Sequence, residues 1–278
     1  MLDSSLWTRR NSGCIVAVVA HPDDETIGLG GQLGSIADIT LVHVTDGAPR
    51  TRPDWKTHAQ IRRAELLAAA AMAGIPEHSC LELGVADQEA SMHLVELACF
   101  LSRLLDQLRP EVVFTHTYEG AHPDHDATAF AIHNAIRLRV ERGEKTPELI
   151  EFPSHHHRPR DGRIETGTFL PWPYIEPFRM VLSKEARSLK RRMLSCFQTQ
   201  KERLANFPDD AESFRVAPAY DFTNAPHAEL SPYGAFRWGV TGREWRRLAR
   251  HAQQMLGSSM PLMAEAKRPA PLIQDWYE

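Results

Sequence analysis

The strongest constraint on this chain's fold is the alternation of buried-strand and helix signals through its first half. Ile15-Val-Ala-Val-Val-Ala20 is a continuous apolar run rich in β-branched residues. Such a run suits a strand covered on both faces, as in a parallel sheet. Similar runs occur at 39–45, 80–83 and 111–116. Helix signals separate them. Residues 28–34 are glycine-rich within a predicted helix, where glycine weakens the helix but permits close packing on a sheet. Residues 57–74 place Ile61, Leu66 and Leu67 within an alanine run, with Gly74 set to close the helix. Residues 94–108 stop ahead of Pro110, and a further helix is expected over 124–142. This order predicts an α/β fold, a Rossmann-like doubly wound and mostly parallel sheet with helices on both faces.

After Gly143 the pattern breaks. Six prolines between 147 and 177 interrupt it, with short strands expected near 150–152 and 178–183. One more helix is expected over 184–204. The remaining stretch reads as irregular, with a single helix over 243–256. The expected organisation is a catalytic domain over 1–205 and a C-terminal extension over 206–278 packed on the same domain.

Composition excludes several function classes. The chain has 278 residues, with 32 basic and 36 acidic side chains and a net charge of −4. No basic excess exists to neutralise phosphates along a nucleic acid. No apolar stretch approaches the ~18 residues that span a membrane. The apolar run after Arg9 and Arg10 is too short for a signal peptide and leads into His-Pro-Asp-Asp-Glu instead of a cleavage site. Cys14, Cys80, Cys99 and Cys196 are scattered and form no CxxC pair, which fits reduced thiols and a cytoplasmic location.

Two His/Asp clusters carry the chemistry. His21-Pro-Asp-Asp-Glu25 comes after the first predicted strand, and His122-Pro-Asp-His-Asp126 after the fourth. Open α/β sheets bind ligands at the carboxyl ends of strands, where the strand order reverses. The two clusters can therefore converge across 104 residues of sequence. Proline after histidine suits the first turn of a helix, which would put His21 and His122 at cap positions. His122 and His125 lie one helical turn apart. Two histidines and a carboxylate form a ligand set for catalytic zinc. A separate carboxylate can then serve as base, and a second histidine can stabilise an oxyanion or protonate a leaving amine.

These residues resemble the LmbE-like (PIG-L) N-deacetylases, which hydrolyse N-acyl groups on amino sugars. The two motifs above carry the resemblance. Val44-Thr-Asp-Gly47, Arg62-Arg-Ala-Glu65, Asp87-Gln88 and the stretch 190–200 ending Gln-Thr-Gln extend it over roughly residues 14–205. The resemblance implies His21, Asp24 and His125 as metal ligands, Asp23 as base and His122 as the oxyanion-stabilising or acid histidine. It also implies Arg62, Asp46 and Asp87 as substrate contacts. The implied cofactor is Zn2+, with Fe2+ an alternative that accepts the same ligands. The implied partner is a small molecule containing an amino sugar. The motifs leave the acceptor and the oligomeric state open.

Competing readings attach to several positions. Arg62 could pair with Glu65, and Asp46 could cap a turn with Gly47. His155, His156 and His157 read as a solvated loop, and His116 as packing or support behind a ligand. Trp238, Trp245 and Trp276 read as packing. Several relatives place a tyrosine where this chain has Gly120, and the nearest tyrosine is Tyr118. A metal-dependent phosphoesterase and a non-catalytic sugar-binding domain are the rival functions.

Overall fold

A computed structural model describes residues 13–158, 161–226 and 238–258. Its strands are β1 Ile15–Val19, β2 Ile39–Pro49, β3 Cys80–Asp87, β4 Val112–His116, β5 Glu148–Phe152, β6 His155–His157, β7 Ile164–Thr166, β8 Phe178–Val181 and β9 Ala211–Val216. Its helices are α1 Asp24–Leu29, α2 Trp55–Met72, α3 Leu94–Leu108, α4 Pro123–Glu141, α5 Lys184–Leu194, α6 Lys201–Leu204 and α7 Gly242–Ser258. The main sheet runs β3-β2-β1-β4-β5-β9-β8. The first five strands in that order pair in parallel, and β9 and β8 add antiparallel. β6 and β7 form a separate hairpin.

The period-two geometry of β1 shows why both faces need helices. Val16 and Val18 join a core with Leu97 and Leu101 of α3, Phe130 and Ala131 of α4, and Trp245 of α7. Ile15, Ala17 and Val19 join the opposite core with Leu29 of α1, Leu66 of α2 and Met193 of α5. The continuous apolar run is thus the signature of a strand with no wet face.

Local signals set the helix ends. Gly74 has φ +77° just past α2, and Ile75 N–H bonds back to the Ala70 carbonyl, closing the helix as expected. Three expectations are corrected. The helix over 184–204 is broken: α5 ends at Leu194, and a short 3₁₀ turn at Gln198–Gln200 precedes α6. The reason is Glu65 of α2, whose carboxylate accepts the Thr199 N–H at 2.8 Å and its hydroxyl at 2.6 Å. The helix through 28–34 stops at Leu29, although its glycines do permit close packing: a Cβ on Gly28 would lie 2.3 Å from the Phe152 ring. The stretch after 206 is not merely irregular. It supplies β9, which sits between β5 and β8, so residues on both sides of 205 build the same sheet.

Candidate active site

The strand order reverses between β1 and β4, which are hydrogen-bonded neighbours. Both motifs leave the sheet at this point, from adjacent carboxyl ends.

The first motif is bent by its surroundings. Asp23 is the residue before α1 and holds φ +128°, a region that L side chains rarely enter. Its N–H donates to Glu25 Oε2 at 3.0 Å, and its Oδ2 accepts from both Arg62 terminal nitrogens at 3.3 and 3.4 Å. Arg62 also donates to the Pro22 carbonyl. Glu25 is itself fixed by His43 Nε2 at 3.1 Å and the Thr26 hydroxyl at 2.6 Å. His21 is therefore not a cap residue, as its Pro neighbour suggested. It lies two positions before the cap, with its N–H on Asp24 Oδ2 at 2.8 Å.

The second motif behaves as the sequence predicts. His122 caps α4 in an extended conformation, Pro123 opens the helix, and His122 Nδ1 accepts the Asp124 N–H at 3.2 Å. Asp124 is fully buried. It accepts the Gln88 N–H at 2.6 Å and the Ala90 N–H at 3.1 Å, and its Oδ2 lies 3.2 Å from His21 Nε2. Asp126 accepts the Glu119 and Gly120 N–H groups and so shapes the loop ahead of the motif.

Three donors meet between the motifs. His21 Nδ1 lies 3.2 Å from His125 Nε2 and 3.2 Å from Asp24 Oδ2, and His125 Nε2 lies 3.4 Å from Asp24 Oδ1. Ligands about 2.1 Å from one ion are roughly 3.0–3.4 Å apart in octahedral or tetrahedral arrangements, so this trio could hold a divalent cation. Asp124 and Asp87 each approach His21 Nε2 at 3.2 Å. They hold the proton on that nitrogen and leave Nδ1 free as a donor.

Overlapping groups also meet: His21 with His122 and His125, Asp24 with His116 and His125, and His21 with Asp87, His122 and Asp124. His116 Nε2 already accepts the Ala20 N–H at 3.0 Å, and its ring stacks on His125 at 4.1 Å, a supporting position. His122 Nδ1 is likewise occupied, which leaves its proton on Nε2.

Electrostatics acts unequally on the same groups. Burial favours protonation of Asp24, but His125 and His116 hold its carboxyl well below the usual range. Burial pushes His125 down to about 4 against the pull of Asp24. Burial, with His21 and His125 nearby, holds His122 well below its ordinary value. For His21 burial is outweighed by Asp87, Asp124 and Asp24, which hold it well above. Burial pushes Asp23 up to about 7; Arg62 opposes this and Asp24 adds to it.

These groups line a cavity of about 760 Å³. Asp87 and Arg62 also line it, although Arg62 is committed to Asp23 and makes no pair with Glu65. Asp46 bonds the Ala48 N–H at 3.0 Å and Arg50 at 2.8 Å, the turn-capping arrangement. Next to it Gly47 sits at φ +65°, where a Cβ would come 2.7 Å from Arg62 Nε.

His155 corrects the expected solvated loop. It lies in β6, lines the cavity and meets His125 edge-on at 5.6 Å. Trp238 also lines the cavity, 4.2 Å from the His122 ring. Trp245 is core, its indole N–H on the Pro123 carbonyl at 3.1 Å. Trp276 lies outside the described residues. Tyr118 donates its hydroxyl to the Asn224 carbonyl at 2.7 Å and packs on Trp245. Sequence reasoning missed Glu25, His43 and Asp124, although Glu25 and Asp124 stand inside the two motifs. It also missed Thr199 as Glu65's partner, which no local pattern signals.

Residues 16–136 match the family model PIG-L, described as GlcNAc-PI de-N-acetylase. This stretch is a PIG-L domain. The chain is 31% identical over 161 residues to 1D-myo-inositol 2-acetamido-2-deoxy-alpha-D-glucopyranoside deacetylase of Mycobacterium sp. (strain KMS), covering 47% of this chain and 51% of that protein. It is 27% identical over 160 residues to a probable N-acetyl-alpha-D-glucosaminyl L-malate deacetylase 2 of Bacillus anthracis, covering 53% and 70%. The chain thus spans about half the length of the mycobacterial relative. Among solved structures, the A40926 pseudoaglycone deacetylase aligns over 75% of this chain and 98% of its own, with TM-score 0.56 and 20% identity. That likeness extends the shared fold well beyond the PIG-L domain.

Proposed function

We propose that this chain is a divalent-metal-dependent N-deacetylase acting on an acylated amino sugar or its glycoside. The observation that carries this reading is the approach of His21 Nδ1, His125 Nε2 and Asp24 to within 3.2–3.4 Å, in the same cavity as the Asp23 carboxylate. The two aligned relatives, both named deacetylases of acetylated glucosamine compounds, support it.

In this reading His21, Asp24 and His125 hold the cation. When bound, the ion supplies Lewis acidity to water and to the amide carbonyl. Asp23 removes a proton from the attacking water. His122 donates from Nε2 to the oxygen that gains charge as the carbonyl carbon becomes tetrahedral. Asp23 then gives its proton to the leaving nitrogen as the C–N bond breaks, so water and amide become carboxylate and amine. Arg62 keeps Asp23 oriented throughout. We assign the ion as zinc, with iron(II) the competitor for the same donors. Four unpaired cysteines fit a reducing, cytoplasmic compartment. Among the described residues no helix is long and apolar enough to cross a membrane.

The test is acetate release from N-acetylated sugars by wild type, Asp23→Ala and His125→Ala, with metal content measured on each. Asp23→Ala should retain the ion without turnover, and His125→Ala should lose the ion. Near wild-type turnover in Asp23→Ala overturns the base assignment. Release of phosphate from model esters without acetate from any sugar overturns the deacetylase reading.

A further inference from the structure

A buried ion pair outside the cavity grips the helix that begins at the reactive aspartates. Lys190 of α5 and Glu212 of β9 have side chains 1% and 0% exposed, with Nζ and Oε1 3.0 Å apart. The attraction within such a pair is largely offset by the loss of water around two charges, and apolar side chains of similar volume often stabilise a fold as well. A local duty is therefore to be sought, and it lies at the end of α1. Lys190 Nζ also donates to the Ile27 carbonyl at 2.7 Å, and Glu212 Oε1 accepts the Gly31 N–H at 2.8 Å. The Ile27 carbonyl belongs to the last turn of the helix, where carbonyls lack a partner within it. A cation at that end also suits the helix dipole.

The other end of the motif is held in the same way. There Arg62 of α2 donates to the Pro22 carbonyl and to Asp23. The carbonyls of Pro22 and Ile27 thus each meet a buried cation, and Asp23, Asp24 and Glu25 lie between them. A helix of six residues is only about 9 Å long, so a shift at one end passes to the other with no loop to absorb it. A second ion pair, Arg215 with Glu151 at 3.0 Å, is as deeply buried. Its further hydrogen bonds run to the Leu170 carbonyl and the Tyr220 hydroxyl, away from α1.

We propose that Lys190 and Glu212 are positioning residues for the metal site: through the Ile27 carbonyl and the Gly31 N–H they fix the C-terminal end of α1, and so fix where its start presents Asp23 and Asp24. This rests on the metal-dependent deacetylase reading, and it adds to the site two residues beyond the 16–136 stretch that matches PIG-L. Ligands and base must be held to within about 0.5 Å for a site to work, and a displacement of about 1 Å can cost about 10²-fold in rate. Lys190 and Glu212 touch neither the ion nor the substrate; they act through the backbone of α1.

The experiment uses the full chain and two double variants. Lys190→Met with Glu212→Gln removes both charges, keeps the long stem and the acceptor for Gly31, and leaves no lone charge buried. Arg215→Met with Glu151→Gln treats the other pair alike. Zinc affinity is measured by chelator competition without substrate, and the visible spectrum of the cobalt(II) form reports ligand geometry. The first variant should bind zinc about 10–100-fold more weakly than wild type, with an altered cobalt spectrum. At saturating zinc it should also release acetate about tenfold more slowly, through kcat and not KM. The second should stay close to wild type in affinity and spectrum, whatever either variant loses in denaturant midpoint. Wild-type affinity and spectrum in the first variant overturn the proposal, and so does an equal loss in both, which would be general loosening. If the first variant does not fold, Glu212→Gln alone takes its place; it frees Lys190 from its partner and should weaken zinc in the same direction, and unchanged affinity overturns the proposal. Zinc binding without acetate release from any N-acetylated sugar removes the deacetylase reading and leaves this comparison intact. Failure of wild type to bind zinc or cobalt removes both.

Discussion

The tripeptide His-Pro-Asp occurs twice at the switch point, and its two copies have different shapes and duties. At 122–124 the local rules hold: histidine caps, proline opens the helix, and aspartate turns inward to tie down the β3 loop and His21. At 21–23 the same letters give a histidine outside the helix and an aspartate at φ +128° in the cap position, with its carboxylate in the cavity. The difference comes from the next two residues of the chain and from a distant arginine. Glu25 takes the Asp23 N–H, Arg62 takes its carboxylate and the Pro22 carbonyl, and Asp24 takes the His21 N–H. A strained residue persists only when its neighbours over-determine it. Identical local sequence thus yields one aspartate whose carboxylate lines the cavity and one whose carboxylate meets His21 from behind.

Exchanging these duties tests the contrast, and the largest effect belongs to Asp23. Asp23→Asn should lower kcat by about 10²–10⁴-fold with metal content intact, because amide cannot take a proton. Asp124→Asn should instead weaken metal affinity by roughly 10–100-fold, with activity recovered at high metal; metal titration of both variants distinguishes the roles. If Asp124→Asn loses turnover at saturating metal as Asp23→Asn does, the contrast fails. A third change strikes the support of the strained copy. Gly47→Ala puts a side chain at φ +65° against Arg62, and should cost more than about 1 kcal/mol in denaturant unfolding while lowering kcat.

The loop before the second motif contributes a pH effect. Burial pushes Glu119 up to about 7, although the Leu170 N–H it accepts at 2.9 Å opposes this. A carboxyl raised in the folded state favours folding while protonated in both states. Relative stability is therefore full below about pH 4.5, is shed as pH rises, and is gone above about 7, a swing of about 3 kcal/mol. Glu119→Gln should flatten this slope, most visibly as a gain at pH 8 in chemical denaturation. The smallest effect should come from Pro123→Ala, since proline at the first helical position only pre-sets φ; a change well under 1 kcal/mol is expected.

Much of the site was legible because short-range chemistry wrote it. A strand end leading into a helix start fixes where His21, Asp24 and His125 emerge, and parallel pairing of β1 with β4 brings them together. Arg62 shows where legibility stops. Its nearest oppositely charged neighbour in sequence is Glu65, yet each is drawn away by a long-range partner, one to Asp23 and the other to Thr199. Asp46 went to the local alternative, a turn cap with Arg50. His155 was read as solvated because a short histidine run has no apolar period, and only its hairpin places it against His125.

Local sequence was enough to set the sheet's first five strands, the switch point and the two clusters, because apolar period, helix caps and proline geometry act within a few residues. Long-range packing alone settled that β9 enters the sheet, that α5 and α6 are separate, and that the two His-Pro-Asp copies diverge. Those outcomes depend on which buried donor finds which acceptor across tens to hundreds of residues, and an unmet buried polar group costs more than a local propensity can recover.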